Sequence, residues 1–239
     1  MQSAGRSGDR PIAMCGRYVL KHSREDLQLH FQFDEFAVVR LFPRFNIAPT
    51  QSVPVIRLGS AGSRELVEGR WGLIPSWVKD GDKPPLLINA RLEDVATRRA
   101  FAPAFRGRRC LVPASGYYEW GRMAGGRKKP YFIDGPNGAP LAFAGLWEPY
   151  GDGMSVALMT KASVGNLAEI HDRMPVILPE SSWPSWLAPE PLSAEGCELL
   201  QAPELPCALG LRPVGPLVNS ARNEGPELLR PDEPDLFGE

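Results

Sequence analysis

The stretch that decides the fold runs from Cys110 to Trp120 and reads CLVPASGYYEW. Two runs rich in β-forming residues, Cys110–Pro113 and Tyr117–Trp120, flank a turn of small residues. This pattern predicts two successive strands. Gly and Pro number 24 and 25 among the 239 residues and are spread along the chain, which is typical of many short strands joined by turns.

The same pattern of short strands extends outward in both directions from this stretch. Further strands are predicted at Tyr18–Leu20, Val53–Leu58, Glu65–Leu73, Pro130–Ile133, Leu141–Trp147, Val156–Thr160 and Pro175–Leu178. Short helices are predicted from an N-cap at Ser23 through Phe31 and at Glu93–Ala100, Asn166–His171, Ser181–Leu187 and Ser193–Gln201. Many strands and few helices, without βαβ alternation, indicate a single α+β domain with a curved or barrel-like, mainly antiparallel β-sheet and peripheral short helices.

Length and composition limit the class of protein. With 239 residues and 43% hydrophobic content, the chain is large enough for one domain with a substantial core. No apolar run reaches the roughly 18 residues of a membrane span, and residues 1–14 lack the apolar stretch of a secretory signal. We therefore expect a cytoplasmic protein, nucleoid-associated if bacterial, with no membrane partner. Four cysteines without C-x-x-C spacing and only three histidines predict no metal site.

The net charge of −1 conceals a strong asymmetry along the chain. Residues 1–130 contain 22 Lys and Arg against 12 Asp and Glu, whereas residues 131–239 contain 5 against 16. The basic residues are densest at Arg91, Arg98, Arg99, Arg106, Arg108 and Arg109, followed by Arg122, Arg127, Lys128 and Lys129. Such a surface suits a polyanion such as a nucleic acid. A solvated basic face with an acidic tail is the alternative interpretation.

Cys15 occurs in Met14-Cys15-Gly16-Arg17-Tyr18, and its chemistry depends on whether it is the first residue. A cysteine at a free N-terminus carries an amine and a thiol on adjacent carbons. It can condense with an aldehyde to a Schiff base and then close a five-membered thiazolidine ring. An α-amino pKa of roughly 7.7 to 8.0 and a thiol pKa of about 8.5 make both nucleophiles accessible near neutral pH. Inside a chain, the same residue is more simply a buried strand cysteine.

Five further motifs follow in one order: Asn46-Ile47-Ala48-Pro49-Thr50, Trp71-Gly72-Leu73-Ile74-Pro75-Ser76-Trp77, Ile88-Asn89-Ala90-Arg91, Gly116-Tyr117-Tyr118-Glu119-Trp120 and Ile170-His171-Asp172-Arg173-Met174-Pro175. Together with the motif at Cys15, they closely resemble the SRAP family, the SOS response-associated peptidases now regarded as abasic-site processing proteins. The similarity runs from Cys15 to about Leu228. The resemblance implies a β-rich domain with a basic DNA-binding groove across it.

The resemblance also implies four active-site residues, Cys15, Asn89, Glu119 and His171. Abasic deoxyribose is mostly a closed hemiacetal, so Glu119 is expected to shuttle the proton that releases the aldehyde, with its pKa raised by aromatic neighbours. His171 is expected to remove water from the carbinolamine and to protonate the sugar oxygen. Asn89 is expected to hold the amine or the sugar oxygen by hydrogen bonds. Taken singly, these residues are also typical of a strand surface, a structural histidine and a turn.

Three arginines each follow an active-site residue by two positions, namely Arg17, Arg91 and Arg173. In an extended segment this spacing places both side chains on one face, so these arginines are predicted to grip the phosphates that flank the sugar. The resemblance implies that the DNA groove is also lined by Asn46, Pro49, Trp71, Trp77 and Thr160, with a tryptophan as a stacking surface or wedge.

The chain is predicted to have three parts: a leader of residues 1–14, an SRAP-like domain of residues 15–228 and an acidic flexible tail of residues 229–239, with fraying from Gly225 onward. The leader departs from the family pattern, in which the cysteine directly follows the initiator methionine. Either translation starts at Met14, which we favour because residues 1–14 carry no fold signal, or the protein cuts the leader itself.

The function predicted from the sequence is that of a SRAP-type enzyme that senses abasic sites. It would bind single-stranded DNA as a monomer, without a cofactor, and form a covalent thiazolidine crosslink through a terminal Cys15, with autoproteolytic and lyase activity alongside. Two alternatives stay open. A thiol peptidase or amidohydrolase would use Cys15, His171 and Glu119 on peptides or amides. A non-catalytic module that binds single-stranded DNA would not need Cys15.

Overall fold

A computed structural model describes residues 15–34, 41–79 and 82–232 of the chain. Its strands are β1 (Tyr18–Leu20), β2 (Arg44–Ile47), β3 (Ser52–Leu58), β4 (Arg64–Trp71), β5 (Asn89–Arg91), β6 (Arg109–Ala114), β7 (Gly116–Arg122), β8 (Lys128–Asp134), β9 (Leu141–Tyr150), β10 (Gly153–Ala162), β11 (Arg173–Pro175) and β12 (Gly210–Pro213). Its α-helices are α1 (Arg24–Phe31), α2 (Ala102–Gly107), α3 (Trp183–Leu187) and α4 (Ala194–Gln201). The predicted leader lies outside the described residues.

Five strands close into a mixed β-barrel in the order β10-β4-β3-β6-β9, and the pairing of β9 with β10 completes the ring. Within this ring only the β10–β4 contact is parallel. Beyond the ring, β10 also pairs in parallel with β5 and antiparallel with β11. Fully buried side chains such as Val55, Leu111 and Ala144 belong to the main core. Closure leaves the barrel strands no free edges.

An antiparallel sheet in the order β12-β8-β7-β1-β2 packs against the barrel. On one face, the rings of Tyr18 and Tyr117 meet Trp71 and Phe143 edge-on, with centroids 5.5 and 5.9 Å apart. The opposite face carries a smaller buried cluster made of Val19, Tyr118, Trp120, Phe132, Val214 and Val218. Since successive strand side chains alternate between faces, Glu119 shares the barrel-facing side with Tyr117.

The predicted fold class is confirmed, and most predicted elements agree with the structure to within a few residues. Helix α1 begins after Ser23 with a capping box: the Asp26 N–H donates to Ser23 Oγ at 3.1 Å, and the Ser23 N–H donates to Asp26 Oδ2 at 3.2 Å. Helix α4 begins after Ser193, whose hydroxyl accepts the Gly196 N–H. In both cases the short polar side chain satisfies a backbone donor that the helix itself leaves open.

Some predicted elements are wrong. The helix predicted at Glu93–Ala100 is a series of turns, and the helix in this region is α2, in whose first turn Pro103 lies. Proline suits a helix start because no N–H is needed there, so Pro103 fits the first turn of α2 and does not end a helix before it. The helix predicted at Asn166–His171 is a 3₁₀ segment at Gly165–Glu169. The strand predicted at Pro175–Leu178 shares only Pro175 with β11, which begins two residues earlier.

Fraying from Gly225 onward is also not what the structure shows for residues 226–232. Residues Pro226–Leu229 form a 3₁₀ turn in which Leu228 is buried. Val214 then bridges Pro231, and Lys129 pairs with Asp232 at 2.9 Å. The acidic segment is therefore packed over the smaller cluster up to Asp232. Flexibility of the remaining tail stays a prediction, because residues 233–239 lie outside the described residues.

Gly116, at the start of β7, tests this packing. An added Cβ would lie 2.4 Å from the Ile133 carbonyl oxygen and 2.5 Å from a Phe132 ring carbon. We expect Gly116→Ala to lower the free energy of unfolding by about 1–3 kcal/mol in urea titrations, because β7 and β8 would have to separate. Gly215→Ala is the matched control, since its Cβ would meet nothing within 4 Å. It should change stability by less than about 0.5 kcal/mol, and equal losses from both variants would contradict this account.

Candidate active site

Cys15, Glu119 and His171 meet where the antiparallel sheet approaches the barrel. Cys15 lies three residues before the start of β1, and β1 pairs with β7, which carries Glu119. The Cys15 backbone N–H donates to Glu119 Oε2 at 3.2 Å. The other carboxylate oxygen, Oε1, lies 3.9 Å from Nε2 of His171. One buried carboxyl group therefore faces the cysteine nitrogen with one oxygen and the imidazole with the other.

Arg173 supplies its peptide groups to the same cluster. Its backbone N–H donates to Nδ1 of His171 at 3.0 Å, and its carbonyl accepts the Cys15 thiol at an Sγ–O distance of 3.9 Å. Because Nδ1 accepts a hydrogen bond, a neutral His171 ring carries its proton on Nε2, facing Glu119. Asp172 Oδ1 also lies 3.0 Å from Nδ1, but this side chain is 82% exposed. We assign the tautomer from the backbone donor, which cannot rotate away.

Burial controls the ionisation of the cluster. Loss of solvent raises the pKa of Glu119, as predicted, and the nearby His171 only partly opposes this effect. Burial also raises the pKa of the Cys15 thiol well above its ordinary value, and the Glu119 charge adds to the increase. The thiol is therefore held in its neutral form. The positive φ of Cys15, 45°, places it in the left-handed region that non-glycine residues seldom adopt.

Asn89, Arg91 and Thr160 are brought together by β10. In the parallel β5–β10 pairing, Leu158 lies opposite Asn89 and Thr160 opposite Arg91. The Thr160 carbonyl accepts both the Leu92 N–H at 2.8 Å and the Arg173 guanidinium at 2.7 Å. Asn89 is half-buried, whereas Thr160 is fully buried. Thr160 thus joins the segments that carry two of the predicted phosphate-binding arginines.

The two arginines differ in their surroundings. The Arg173 guanidinium pairs with both carboxylate oxygens of Glu93, with Nη2 2.8 Å from Oε2. Arg91 is exposed and forms no ion pair with another described residue. Glu93 was missed as a site residue because the sequence pattern placed it in a helix. A usable signal was its position two residues after Arg91 in an extended segment, which favours the same face.

Arg17 and Asn46 lie inside a hydrogen-bond network rather than on an open groove wall. Arg17 donates to Asn46 Oδ1 at 2.9 Å and to the Val218 carbonyl at 3.2 Å. The Asn46 amide in turn donates to the carbonyls of Ser220 and Asn223, at 2.9 and 2.8 Å. These bonds fasten the C-terminal segment to β1 and β2.

The remaining predicted groove residues differ in how far their side chains are exposed. Trp71 is buried, and its indole N–H donates to the Ile88 carbonyl at 3.0 Å. A stacking role for Trp71 would therefore require the core to open. Trp77 is 46% exposed, and the Arg99 guanidinium lies 5.0 Å from its ring centroid. Pro49 is half-buried in a turn.

Two members of the dense arginine run point inward, so the basic surface is smaller than the sequence indicates. Arg109 is 2% exposed and donates to five backbone carbonyls, those of Phe105, Arg106, Trp186, Ala188 and Glu190. Arg108 pairs with the buried Glu148. The other four arginines of the densest run, Arg91, Arg98, Arg99 and Arg106, are exposed.

Within the described ranges, no group of three or more His, Cys, Asp or Glu side chains could hold a metal ion. No helix in those ranges is long and apolar enough to cross a membrane. The cluster itself contains a neutral thiol, a carboxyl group of raised pKa and an imidazole. Such a set can move protons around the Cys15 nitrogen.

Comparison with known proteins gives consistent matches over most of the chain. The SOS response associated peptidase (SRAP) family matches residues 14–221. YoaM, an abasic site processing protein of Bacillus subtilis (strain 168), is 34% identical over 222 residues, which cover 90% of this chain and 97% of YoaM. The abasic site processing protein YedK of Escherichia coli (strain K12) is 31% identical over 228 residues, which cover 91% and 100%.

Solved structures agree with these sequence matches. A phage-related protein of Bordetella bronchiseptica superposes with a TM-score of 0.67 at 30% identity. The match covers 84% of this chain and 94% of that protein.

The raised pKa of Glu119 predicts a pH-dependent stability cost. A carboxyl group with a higher pKa in the folded state binds its proton more tightly there, so the fold loses stability as pH rises from the ordinary glutamate value through the folded one. Glutamine does not titrate, so Glu119→Gln should raise Tm relative to wild type at pH 8, and less so at pH 4. Glu68→Gln, on an exposed position of β4, should show no such trend. If the Tm difference between Glu119→Gln and wild type were independent of pH, the ionised form of Glu119 would not be what destabilises the fold.

Proposed function

The chain belongs to the SOS response associated peptidase (SRAP) family, and on that premise we propose that it acts on abasic sites in single-stranded DNA. In this proposal the reactive form begins at Cys15, with residues 1–14 absent or removed. The terminal cysteine then forms a covalent thiazolidine crosslink with the open-chain aldehyde of the abasic sugar. The protein works as a monomer and needs no cofactor.

The observation that carries this proposal is the contact between the Cys15 nitrogen and Glu119. In the chain as described, this nitrogen belongs to a peptide and donates to Oε2 at 3.2 Å. In a chain that begins at Cys15, the same position holds an α-amine. The amine must be deprotonated to attack a carbonyl, and a buried carboxyl of raised pKa beside it is a suitable proton acceptor near neutral pH.

The proposed reaction proceeds in two additions to one carbon. The Cys15 amine attacks C1′ of the aldehyde, and its proton passes through Glu119 or His171 to the oxygen, which gives a carbinolamine. Protonation of that hydroxyl by the same groups releases water and leaves a Schiff base. The thiol then adds to the Schiff-base carbon, its proton ends on the ring nitrogen, and the thiazolidine closes. The net change is aldehyde plus aminothiol to thiazolidine plus one water.

Glu119 and His171 have distinct parts in this scheme. The Nε2–H tautomer of His171 can donate its proton to the sugar oxygen when the ring opens. Glu119, whose Oε1 lies 3.9 Å from Nε2, is proposed to return a proton to the imidazole. Asn89 is proposed to hold the amine or the sugar oxygen. The neutral state of the thiol matches its late role, because it adds only after the Schiff base has formed and can transfer its proton to the nitrogen.

The DNA contacts are proposed from the exposure of Arg91 and Trp77 and from the pairing of Arg173 with the exposed side chain of Glu93. Arg91 and Arg173 grip the phosphates that flank the abasic sugar, and Trp77 stacks on a base or wedges beside it. The remaining predicted groove residues, Arg17, Asn46, Pro49, Trp71 and Thr160, shape the groove from within or at its rim. This division follows from their burial and hydrogen bonds. Such contacts involve no base edges, which suits a protein that must act in any sequence.

A thiol peptidase acting on other proteins is less well supported. Such enzymes use a thiolate whose pKa is lowered by an adjacent imidazolium. Here burial raises the thiol pKa, and the thiol donates to the Arg173 carbonyl rather than to His171. Lyase activity would follow from the Schiff-base stage, and removal of the leader by the protein itself is proposed as an alternative to translation from Met14.

A test of the function is crosslinking to a single-stranded oligonucleotide with one abasic site. Protein that begins at Cys15, verified by intact mass, should form an adduct that survives heating on a denaturing gel. Cys15→Ala should form none, because it lacks the thiol that traps the Schiff base. A chain that retains residues 1–14 should also fail, because its nitrogen is acylated. Equal adduct yield from all three proteins would rule out the terminal aminothiol.

The role of Glu119 is tested by the rate of crosslinking between pH 5 and 8. General acid–base groups typically contribute about 10²- to 10⁴-fold, so Glu119→Gln should slow adduct formation by up to this range and flatten the pH profile. Its affinity for intact single-stranded DNA should stay close to that of wild type, since the carboxyl faces Cys15 rather than the surface. A wild-type rate across the whole pH range would remove Glu119 from the mechanism.

A further inference from the structure

Glu93 occupies the position at which a phosphate would be expected. Its two carboxylate oxygens face the two terminal nitrogens of Arg173, the fork-to-fork geometry that a phosphate also adopts with arginine. The hydrogen bond from Arg173 lowers the pKa of Glu93, and the charges of Arg173 and Arg91 act in the same direction. One carboxylate therefore lies within the field of both arginines that are proposed to bind phosphates.

From this arrangement we propose that Glu93 is an internal phosphate mimic, which the DNA backbone must displace before Arg173 can bind it. The inference rests on the proposed function, because it concerns the affinity of the same site for DNA. Glu93 thereby sets how strongly undamaged single strands are held. It also keeps Arg173 oriented while no DNA is bound, since the guanidinium is anchored at the same time to the Thr160 carbonyl.

The surroundings allow the carboxylate to leave. The Glu93 side chain is 53% exposed, whereas that of Arg173 is only 10% exposed, so the acid is the partner that can rotate into solvent. Glu93 also lines a cavity of about 520 Å³ whose wall includes Lys161. The Lys161 ammonium donates to the Ala202 carbonyl at 2.7 Å, and an ammonium has three donors in all. A displaced Glu93 thus has both space and a nearby cation.

Displacement has a measurable electrostatic consequence. In wild-type protein, Arg173 exchanges the Glu93 carboxylate for a DNA phosphate. The net charge that the protein contributes at this position therefore changes little on binding. In Glu93→Gln, the guanidinium is uncompensated and neutralises a phosphate fully. Each phosphate neutralised on a single strand contributes about 0.7 to the slope of log affinity against log salt. The slope should therefore be steeper by up to about 0.7 in the variant.

The experiment measures binding of intact single-stranded DNA, by fluorescence anisotropy across a salt series, to wild type, Glu93→Gln and Asp94→Asn. Asp94 is a matched control, because it is the next residue, is 47% exposed and pairs with Arg98 instead. We expect Glu93→Gln to bind about two- to fivefold more tightly at low salt, as befits loss of an exposed ion pair. This gain should disappear in an Arg173→Ala background, whereas any gain from Asp94→Asn should persist there.

The outcomes separate this inference from the function on which it rests. Wild-type protein that binds and crosslinks, with a Glu93→Gln variant of equal or weaker affinity and unchanged salt slope, would overturn the phosphate-mimic inference alone. A gain that survives in the Arg173→Ala background would also overturn it, because the effect would then reflect net charge. Wild-type protein that binds no single-stranded DNA at any salt concentration would overturn both.

Discussion

The backbone of β10 is the constraint on which the rest of the structure depends. This ten-residue strand pairs with β9 and β4 to close the barrel, and with β5 and β11 beyond the ring. The C-terminal half of β10 pairs with β5, which carries Asn89 and Arg91, and with β11, which carries Arg173. Because these partners are fixed by backbone hydrogen bonds, the positions of Asn89, Arg91 and Arg173 follow from strand pairing with β10 and not from local loop preferences. A shift of β10 by one residue would move Arg91 and Arg173, two of the three predicted phosphate-binding arginines, together.

The site holds a buried carboxylate, that of Glu119, on a strand fixed by the antiparallel sheet. Glu119 is buried on β7, and His171, the Cys15 N–H and thiol and the Trp120 N–H only partly offset the loss of solvent around its ionised form. A fold selected for stability alone would place an apolar side chain there. The same burial that destabilises the carboxylate raises the pKa of Glu119, which suits the proton transfer proposed for this residue. Stability and chemistry therefore make opposite demands on this residue.

The sequence was sufficient for the elements that are defined by local rules. Ser23 and Ser193 cap helices because their side chains satisfy backbone donors, and the apolar runs within β9 and β10 are rich in residues that favour strands. Strands β2, β5 and β12 were not predicted because they contain only three or four residues and exist through pairing with distant partners. The meeting of Cys15, Glu119 and His171 was expected from the family resemblance, and no local pattern would have revealed it.

Charge was the least reliable guide to the site, for a physical reason. A sequence reports how many arginines a segment carries. Whether each one can bind a phosphate depends on the groups that its guanidinium contacts after folding. Arg109 is used to satisfy five carbonyls, and Arg17 to fasten the C-terminal segment, so neither is available as surface charge. Arg173 is 10% exposed and paired with Glu93, whose side chain is 53% exposed. In the proposed scheme, a phosphate-binding arginine thus differs from a structural one in its partner: backbone carbonyls cannot move away, whereas an exposed glutamate can.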